Sequence, residues 1–129
     1  MNLGFIGTGE ITKAVVLGIL QSKIKFKKIY LSKRNANISR KLRKKNNKII
    51  ILDDNQKIIN RCKWVFLAIT PNVGKKIIKN LKFKKNHKII SFISTIKMKE
   101  LKKAINVKAQ IVRAIPLPPI SLGVGPIPI

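Results

Sequence analysis

The sequence contains very few acidic residues and a single cysteine. Four acids, Glu10, Asp53, Asp54 and Glu100, stand against 29 lysines and arginines. The one cysteine, Cys62, excludes an internal disulfide, and so low a cysteine count is typical of proteins from a reducing compartment. No spacing of His, Cys, Asp and Glu resembles a metal site, and no Ser/His/Asp arrangement is present. The sequence therefore predicts neither a metal ligand nor a catalytic side chain.

The few residues with reactive side chains each have a structural interpretation. His87, the only histidine, lies in the polar stretch "KKNHKII" and is predicted to be an exposed loop residue. Asp53 and Asp54 are adjacent and diverge, so they do not form a catalytic carboxylate pair. Cys62 stands between two cations that can lower its pKa, but a lone thiol carries out no reaction unaided. We predict that it is a semi-buried residue preceding a strand.

Long apolar runs are also missing. No uninterrupted apolar stretch approaches the roughly 20 residues that span a bilayer. The first ten residues include Glu10 and lack the basic start of a signal peptide. These absences predict no membrane partner and a cytoplasmic location.

The charge balance permits two interpretations. The formal net charge is +25, and only five of the 29 cations are arginine. Lysine, asparagine and isoleucine, all abundant here, are encoded by AT-rich codons, so compositional drift explains the excess. A selected polyanion partner is the alternative. Since the cations are scattered along the chain without interleaved aromatic residues, we favour drift and predict no specific nucleic-acid partner.

Short apolar runs alternate with helical patterns throughout the chain. Continuous apolar strands are typical of parallel sheets covered on both faces, so the sequence predicts an α/β fold with a doubly wound, mostly parallel sheet. The predicted strands are 3–7, 28–32, 48–52, 64–69, 88–93 and 109–115. The predicted helices are 10–22, 36–45, 55–61, 73–81 and 97–104.

The last sixteen residues, "AIPLPPISLGVGPIPI", carry no charge and include five of the six prolines. Proline density of this kind disfavours a helix and a central strand. We expect this apolar segment to begin a connection into further chain.

The stretch "GFIGTGEI" carries the strongest functional signal. Gly7, Gly9 and Thr12 follow a predicted strand and open a predicted helix, which is the context of a dinucleotide-binding turn. The first glycine allows the tight turn, and the second lets the backbone approach a pyrophosphate at the helix N-terminus. Thr12 is bulkier than the usual third residue. A bare strand-to-helix turn is the alternative.

The end of the second predicted strand indicates which dinucleotide is bound. NAD-binding folds place an acid there for the ribose 2′-hydroxyl. The segment "YLSKRNAN" has no acid and offers Ser32, Lys33, Arg34 and Asn35 instead. These donors suit a 2′-phosphate, so NADP (NADPH) is the predicted cofactor. An ordinary basic loop is the alternative.

The stretches "GFIGTGEI", "LSKRN", "DNQKII", "VFLAITP", "IISFIST" and "RAIPLPP" resemble, in order and spacing, those of pyrroline-5-carboxylate reductases. That family makes proline by hydride transfer from NADPH to a cyclic imine. The resemblance covers residues 1–129 but only the family's N-terminal NADP-binding Rossmann domain. It implies that the family's C-terminal helical domain, which builds the dimer and the substrate pocket, is absent from this chain. A homo-oligomer is then expected only with that domain, and the chain alone should be inactive or weakly active.

The resemblance also assigns cofactor-binding positions. The pyrophosphate would be held by Ile6, Gly7, Thr8, Gly9, Glu10 and Ile11. Ser32, Arg34 and Asn35 would contact the 2′-phosphate, and Asn55 the adenosine ribose. Ala68, Ile69, Thr70, Pro71, Ile93 and Ser94 would lie along the nicotinamide.

The chain departs from the family's pattern near the nicotinamide and the substrate. The family usually has Lys at position 70, Ala-Ala-Gly at 93–95, and Asn and Thr at the positions of Leu117 and Pro118. These changes remove side-chain donors, so the identity of the imine substrate stays open. A related deazaflavin-dependent NADP reductase and a non-catalytic nucleotide- or polyanion-binding domain are the alternative functions.

Overall fold

Helices and strands alternate along the residues that the computed structural model describes, 1–33 and 36–115. The strands are β1 (Asn2–Ile6), β2 (Lys28–Ser32), β3 (Ile49–Leu52), β4 (Trp64–Leu67), β5 (Lys88–Ser91) and β6 (Gln110–Arg113). The helices are α1 (Glu10–Gln21), α2 (Ala36–Lys45), α3 (Asn55–Arg61), α4 (Pro71–Asn80) and α5 (Met98–Ile105).

All six strands form one parallel sheet in the order β3-β2-β1-β4-β5-β6. The first strand lies at the centre, where Phe5 pairs with Leu31 of β2 on one side and Phe66 of β4 on the other. This is the strand order of the Rossmann dinucleotide-binding fold. The predicted α/β class and parallel sheet are confirmed.

Both faces of the central strands are buried, as the continuous apolar runs indicate. On one face Leu3 and Phe5 of β1 pack with Val16 and Ile19 of α1. On the other face Ile6 belongs to a second cluster, built largely from α3, α4 and α5. Alternate residues of one strand therefore enter two different cores, which fixes the register of β1.

Element boundaries differ from the prediction where apolar residues lie in loops. The strands predicted over 64–69 and 88–93 end at Leu67 and Ser91, although Ile69 and Ile93 beyond them are buried. These residues are apolar because they are buried in the core, although they do not pair with a neighbouring strand. The apolar run is therefore longer than the strand. The helix predicted from residue 73 begins at Pro71, because proline suits the first helical turn.

The prediction that His87 is an exposed loop residue is wrong. Its side chain is 3% exposed. Nδ1 accepts the backbone N–H of Lys84 at 2.8 Å, so Nε2 carries the proton and donates to the carbonyl oxygen of Ile59, also at 2.8 Å. The ring further makes an edge contact with Phe83. The polar neighbours of His87 in sequence give no indication that its ring is buried and connects the loop before β5 to α3.

Cys62 is buried, and its position depends on the absence of a side chain at Gly4. A Cβ at Gly4 would lie 2.9 Å from the Cys62 Sγ and 2.8 Å from a methyl carbon of Ile58. Burial raises the pKa of the Cys62 thiol to about 12, and the charge of Arg61 offsets this only in part. The prediction of a structural residue that precedes a strand is confirmed, with deeper burial than expected, and the flanking cations do not lower this pKa overall because desolvation dominates.

The Cys62 thiol should make stability depend on pH in the alkaline range. The unfolded thiol ionises near its ordinary value of 9.0, whereas the folded thiol holds its proton up to about pH 12. The free energy of unfolding should therefore fall above pH 9, by about 1 kcal/mol between pH 9 and pH 10. Urea unfolding at both pH values, beside a Cys62→Ala variant, measures this contribution. Equal losses in the two proteins would contradict it.

No helix within residues 1–33 and 36–115 is long and apolar enough to cross a membrane.

Candidate functional site

The strand order opens a crevice at the carboxyl ends of β1 and β4. The chain runs from β1 outwards to β2 and β3 on one side and then returns to β4 on the other side of β1, and ligands of open α/β sheets bind at such a switch point. A cavity of about 410 Å³ lies there. Its lining residues come from two of the predicted segments and from the start of α2: Gly7, Thr8, Gly9, Ala36, Asn37, Ala68, Ile69 and Thr70.

Gly7 makes the sharp turn that ends β1. Its φ of +95° lies in the region that side-chain-bearing residues rarely adopt. A Cβ on Gly7 would also lie 2.6 Å from the backbone oxygen of Ala68. Glycine is thus required here for both conformation and space, because the loops after β1 and β4 pack directly on each other.

Gly9 is the N-cap of α1, and its φ of −120° is accessible to any residue. Among the described residues, no atom outside Gly9 and its two chain neighbours lies within 4 Å of the place where its Cβ would be. The first helical hydrogen bond runs from Lys13 N to Gly9 O, so the N–H groups of the preceding helical residues are left for a ligand. Open space in front of free N–H groups and a positive helix end fits a pyrophosphate.

Thr12 occupies the third position of the glycine motif and braces the turn. Its side chain is fully buried, and its hydroxyl donates to the carbonyl oxygen of Gly7 at 2.6 Å. The larger side chain is accommodated because its hydroxyl satisfies a backbone acceptor that the turn leaves free.

Ser32 and Thr8 join the glycine turn to the end of β2. The Gly7 N–H donates to Ser32 Oγ at 3.1 Å, and Thr8 Oγ1 donates to the Ser32 carbonyl oxygen at 2.7 Å. The two hydroxyls are 2.8 Å apart, so the Ser32 proton is directed at Thr8 Oγ1. Both side chains are buried. The only proton of the Ser32 hydroxyl is therefore used within the protein.

The other residues predicted to bind the pyrophosphate and the adenosine end of the cofactor differ in the groups that they could offer to a ligand. The side chain of Ile6 is fully buried in the core, so only its backbone could face a ligand. Glu10 and Ile11 begin α1 and are exposed. Asn55 lies apart from these residues, in a cavity of about 530 Å³ that is also lined by Asp53 and Asp54. Arg34 and Asn35 lie outside the described residues.

At the predicted nicotinamide end, exposed polar groups follow β4 and β5. Thr70 is the exposed N-cap of α4, makes no side-chain capping bond and precedes the exposed Pro71. Ser94 is exposed and Ile93 is buried. The guanidinium of Arg113 donates through Nη2 to the Ser94 carbonyl oxygen at 2.7 Å, which holds this loop to β6.

Sequence reasoning did not identify Ala36, Asn37 and Arg113. The first two line the cavity because α2 begins beside the glycine turn. A position at the start of the helix after β2 could have indicated them, since that helix N-terminus faces the same crevice. Arg113 gave no local signal, because its contact with Ser94 depends on the pairing of β5 with β6.

A family profile described as "NADP oxidoreductase coenzyme F420-dependent" matches residues 2–97 of the chain. The chain belongs to this family. It is an NAD(P)-binding Rossmann domain of the oxidoreductase class, as the glycine turn and the strand order indicate.

Individual relatives agree with the resemblance found in the sequence. Pyrroline-5-carboxylate reductase 1 of Dictyostelium discoideum is 27% identical over 118 residues, which cover 89% of this chain and 21% of that protein. The crystal structure of Plasmodium falciparum pyrroline carboxylate reductase with NADP bound superposes with a TM-score of 0.81 at 22% identity, over 98% of this chain and 46% of the other. A pyrroline-5-carboxylate reductase from Coxiella burnetii gives a TM-score of 0.81 at 23% identity, over 94% and 46%.

The chain therefore spans about a fifth of the length of the Dictyostelium relative and less than half of each of these structures. The solved structures share the fold with this chain, and the family profile gives its oxidoreductase class.

Proposed function

We propose that this chain supplies the NADPH-binding part of an enzyme that reduces a cyclic imine, with 1-pyrroline-5-carboxylate as the substrate and proline as the product. The observation that carries the proposal is the open space at Gly9, which lies in front of the N-terminus of α1 and beside the loop after β4. The likeness to pyrroline-5-carboxylate reductases supports the choice of reaction.

The residues around this open space have distinct roles in the proposal. The N–H groups at the start of α1 bind the pyrophosphate, and the Gly7 turn brings the loop of Ala68 to Thr70 against it. That loop and Ser94 form one wall for the nicotinamide and the imine. When bound, NADPH supplies a hydride to the imine carbon while the imine nitrogen takes up a proton, which leaves NADP⁺ and a saturated ring.

The choice of NADPH over NADH rests on the end of β2. No acid follows β2 to accept a ribose 2′-hydroxyl, and Lys33 is exposed there. We propose that Lys33 and Arg34 provide the positive charge for the 2′-phosphate. An Arg34→Ala variant should then lose about 1–3 kcal/mol of NADPH affinity and almost no NADH affinity.

Ser32 should behave differently from Arg34, because its hydroxyl holds the glycine turn. Ser32→Ala removes the acceptor of the Gly7 N–H and leaves that buried group unpaired, at a cost of about 1–3 kcal/mol. We expect the affinities for NADPH and NADH to fall together, each by about tenfold. Calorimetric titration with both cofactors measures this. A loss confined to NADPH would make Ser32 a direct ligand of the 2′-phosphate instead.

Titration of the 129-residue chain with NADPH and NADH tests the proposed cofactor, and NADPH oxidation at 340 nm with pyrroline-5-carboxylate tests the reaction. We expect NADPH to bind at least tenfold more tightly than NADH. We expect slow turnover, because positioning an imine beside the nicotinamide can contribute roughly 7–11 kcal/mol and the described residues form only one wall. Absence of NADPH binding would refute the proposal.

A related NADP reductase that uses a deazaflavin is the second candidate, and the description of the matched family favours it. The same assay separates the two functions when pyrroline-5-carboxylate is replaced by an oxidised deazaflavin. Hydride transfer to the deazaflavin with none to the imine would establish the second candidate in place of the first.

A further inference from the structure

The fold collects at one edge of the sheet the cations that are scattered along the sequence. In a parallel α/β sheet, every connection from a helix to the next strand lies at the amino ends of the strands. We call these connections, residues 21–28, 45–49, 61–64, 80–88 and 105–110, the amino edge. The amino edge contains thirteen cations and no acid: Lys23, Lys25, Lys27, Lys28, Lys45, Lys48, Arg61, Lys63, Lys82, Lys84, Lys85, Lys88 and Lys108.

The opposite edge of the sheet is nearly balanced in charge: with Arg34, which lies outside the described residues, its connections contain four cations and three acids. In its described connections, which run from each strand to the following helix and past the end of β6, three cations face three acids. The cations are Lys33, Lys97 and Arg113, and the acids are Glu10, Asp53 and Asp54. The proposed cofactor site lies at this edge, where Lys33 and Arg34 are the cations proposed for the 2′-phosphate. Most of the excess positive charge therefore lies away from the bound dinucleotide.

Helix dipoles account for only part of the charge at the amino edge. Five helices end there, and each C-terminus carries about half a negative charge, which gives roughly −2.5 in all. Thirteen cations far exceed that amount. Eleven of them are exposed, the exceptions being the half-buried Lys28 and Lys88, so their charges face solvent.

The side chains of the amino edge are suited to binding a polyanion through charge alone. Twelve of its cations are lysines, which bind phosphate as point charges without the fixed fork of arginine. Of its three phenylalanine and tryptophan residues, Phe83 is buried, Lys48 lies over Phe26 at 5.5 Å and Lys88 lies over Trp64 at 4.9 Å. No ring is therefore left free to stack a base, and binding would depend on contacts of the cations with phosphates, which carry no sequence information.

We propose that the amino edge binds the phosphodiester backbone of a nucleic acid without sequence selectivity. Six strands at a spacing of about 4.8 Å make the edge roughly 24 Å long, which spans about seven nucleotides of a strand with a 3.4 Å rise. The strands place the two edges about 15 Å apart, beyond the Debye length of about 10 Å at 0.1 M salt. Nucleic acid and NADPH should therefore bind independently.

The test compares two variants with equal net charge. The first carries Lys25→Gln, Lys45→Gln, Lys63→Gln, Lys85→Gln and Lys108→Gln, one change in each connection of the amino edge. The second carries Lys41→Gln, Lys76→Gln, Lys79→Gln, Lys99→Gln and Lys102→Gln, all on exposed helix positions. Fluorescence anisotropy with a 20-nucleotide oligouridine RNA and a 20-base-pair DNA duplex, between 50 and 300 mM KCl, gives affinity and salt dependence for each.

We expect the first variant to lose at least 30-fold in RNA affinity at 100 mM KCl and the second less than fivefold. Loss of five phosphate contacts should also reduce the slope of log K against log salt by about 3.5 for the single strand. Equal losses in the two variants would overturn the proposal, because the binding would then follow net charge alone. Displacement of RNA by saturating NADPH would overturn it by placing the RNA at the cofactor site.

Two further measurements distinguish loss of RNA binding from other causes. NADPH affinity and thermal unfolding should be the same in both variants, and a change in either would reveal that a variant is unfolded. Vesicles containing phosphatidylserine serve as the other anionic surface. Binding to these vesicles that depends on the amino edge, without binding to either nucleic acid, would overturn the proposal in favour of a membrane surface.

Discussion

Gly9→Val is expected to abolish NADPH binding, with a loss of at least 100-fold, while the domain stays folded. The valine side chain would occupy the open space in front of the α1 N-terminus where the pyrophosphate is proposed to lie. The backbone of Gly9 is extended and no described residue beyond its chain neighbours lies near the new Cβ, so the fold accepts the change. Valine is a poorer N-cap than glycine, which costs on the order of 1 kcal/mol of stability.

Calorimetric titration with NADPH and thermal unfolding by circular dichroism measure the two effects of Gly9→Val. Gly9→Ala adds a single methyl group and should give an intermediate loss of affinity. Unchanged NADPH affinity in the valine variant would mean that the glycine turn is only a bend between a strand and a helix.

Gly7→Ala is expected to destabilise the fold itself, by about 3 kcal/mol or more. The alanine would have to adopt a φ of +95°, and its Cβ would lie 2.6 Å from the Ala68 carbonyl oxygen. Left-handed backbone costs roughly 1–2 kcal/mol in a residue with a side chain, and relief of the contact requires the loop after β4 to move. For a domain of this size the melting temperature should fall by about 10 °C or more.

Gly7→Ala and Gly9→Ala make the same chemical change two residues apart, so each is the control for the other. The first should lose stability and cofactor binding together, whereas the second should lose mainly binding. A Gly7→Ala variant with the melting temperature of the unchanged chain would contradict the close packing of the loops after β1 and β4.

Most of the fold could be predicted from the sequence, because its determinants are local. Short, nearly continuous apolar runs alternate with helical periodicity, and regular alternation in one chain produces a parallel sheet. The glycine turn was predictable for the same reason, since Gly7, Thr8 and Gly9 follow β1 directly in the sequence. Arg34 and Asn35 were predicted in the same way and lie outside the described residues.

Local sequence predicts the surroundings of a side chain poorly where that side chain contacts a residue distant in sequence. His87 was predicted to be exposed because its neighbours in sequence are polar, but its ring lies against α3 and Phe83. Cys62 is buried ahead of a strand, as predicted, but its flanking cations do not set its pKa, because burial against Gly4 and Ile58 governs it. At both residues, packing against a segment that is distant in sequence outweighs the local sequence.

The sequence by itself determined the order of strands and helices, the position of the glycine turn and the class of cofactor, because each depends on residues within a few positions of one another. Only the tertiary structure decided that the Ser32 hydroxyl holds Gly7 and Thr8, and that cations spread over some ninety residues lie together at the amino edge. A parallel sheet brings together chain segments that are far apart in sequence, and periodicity contains no information about which side chains then become neighbours.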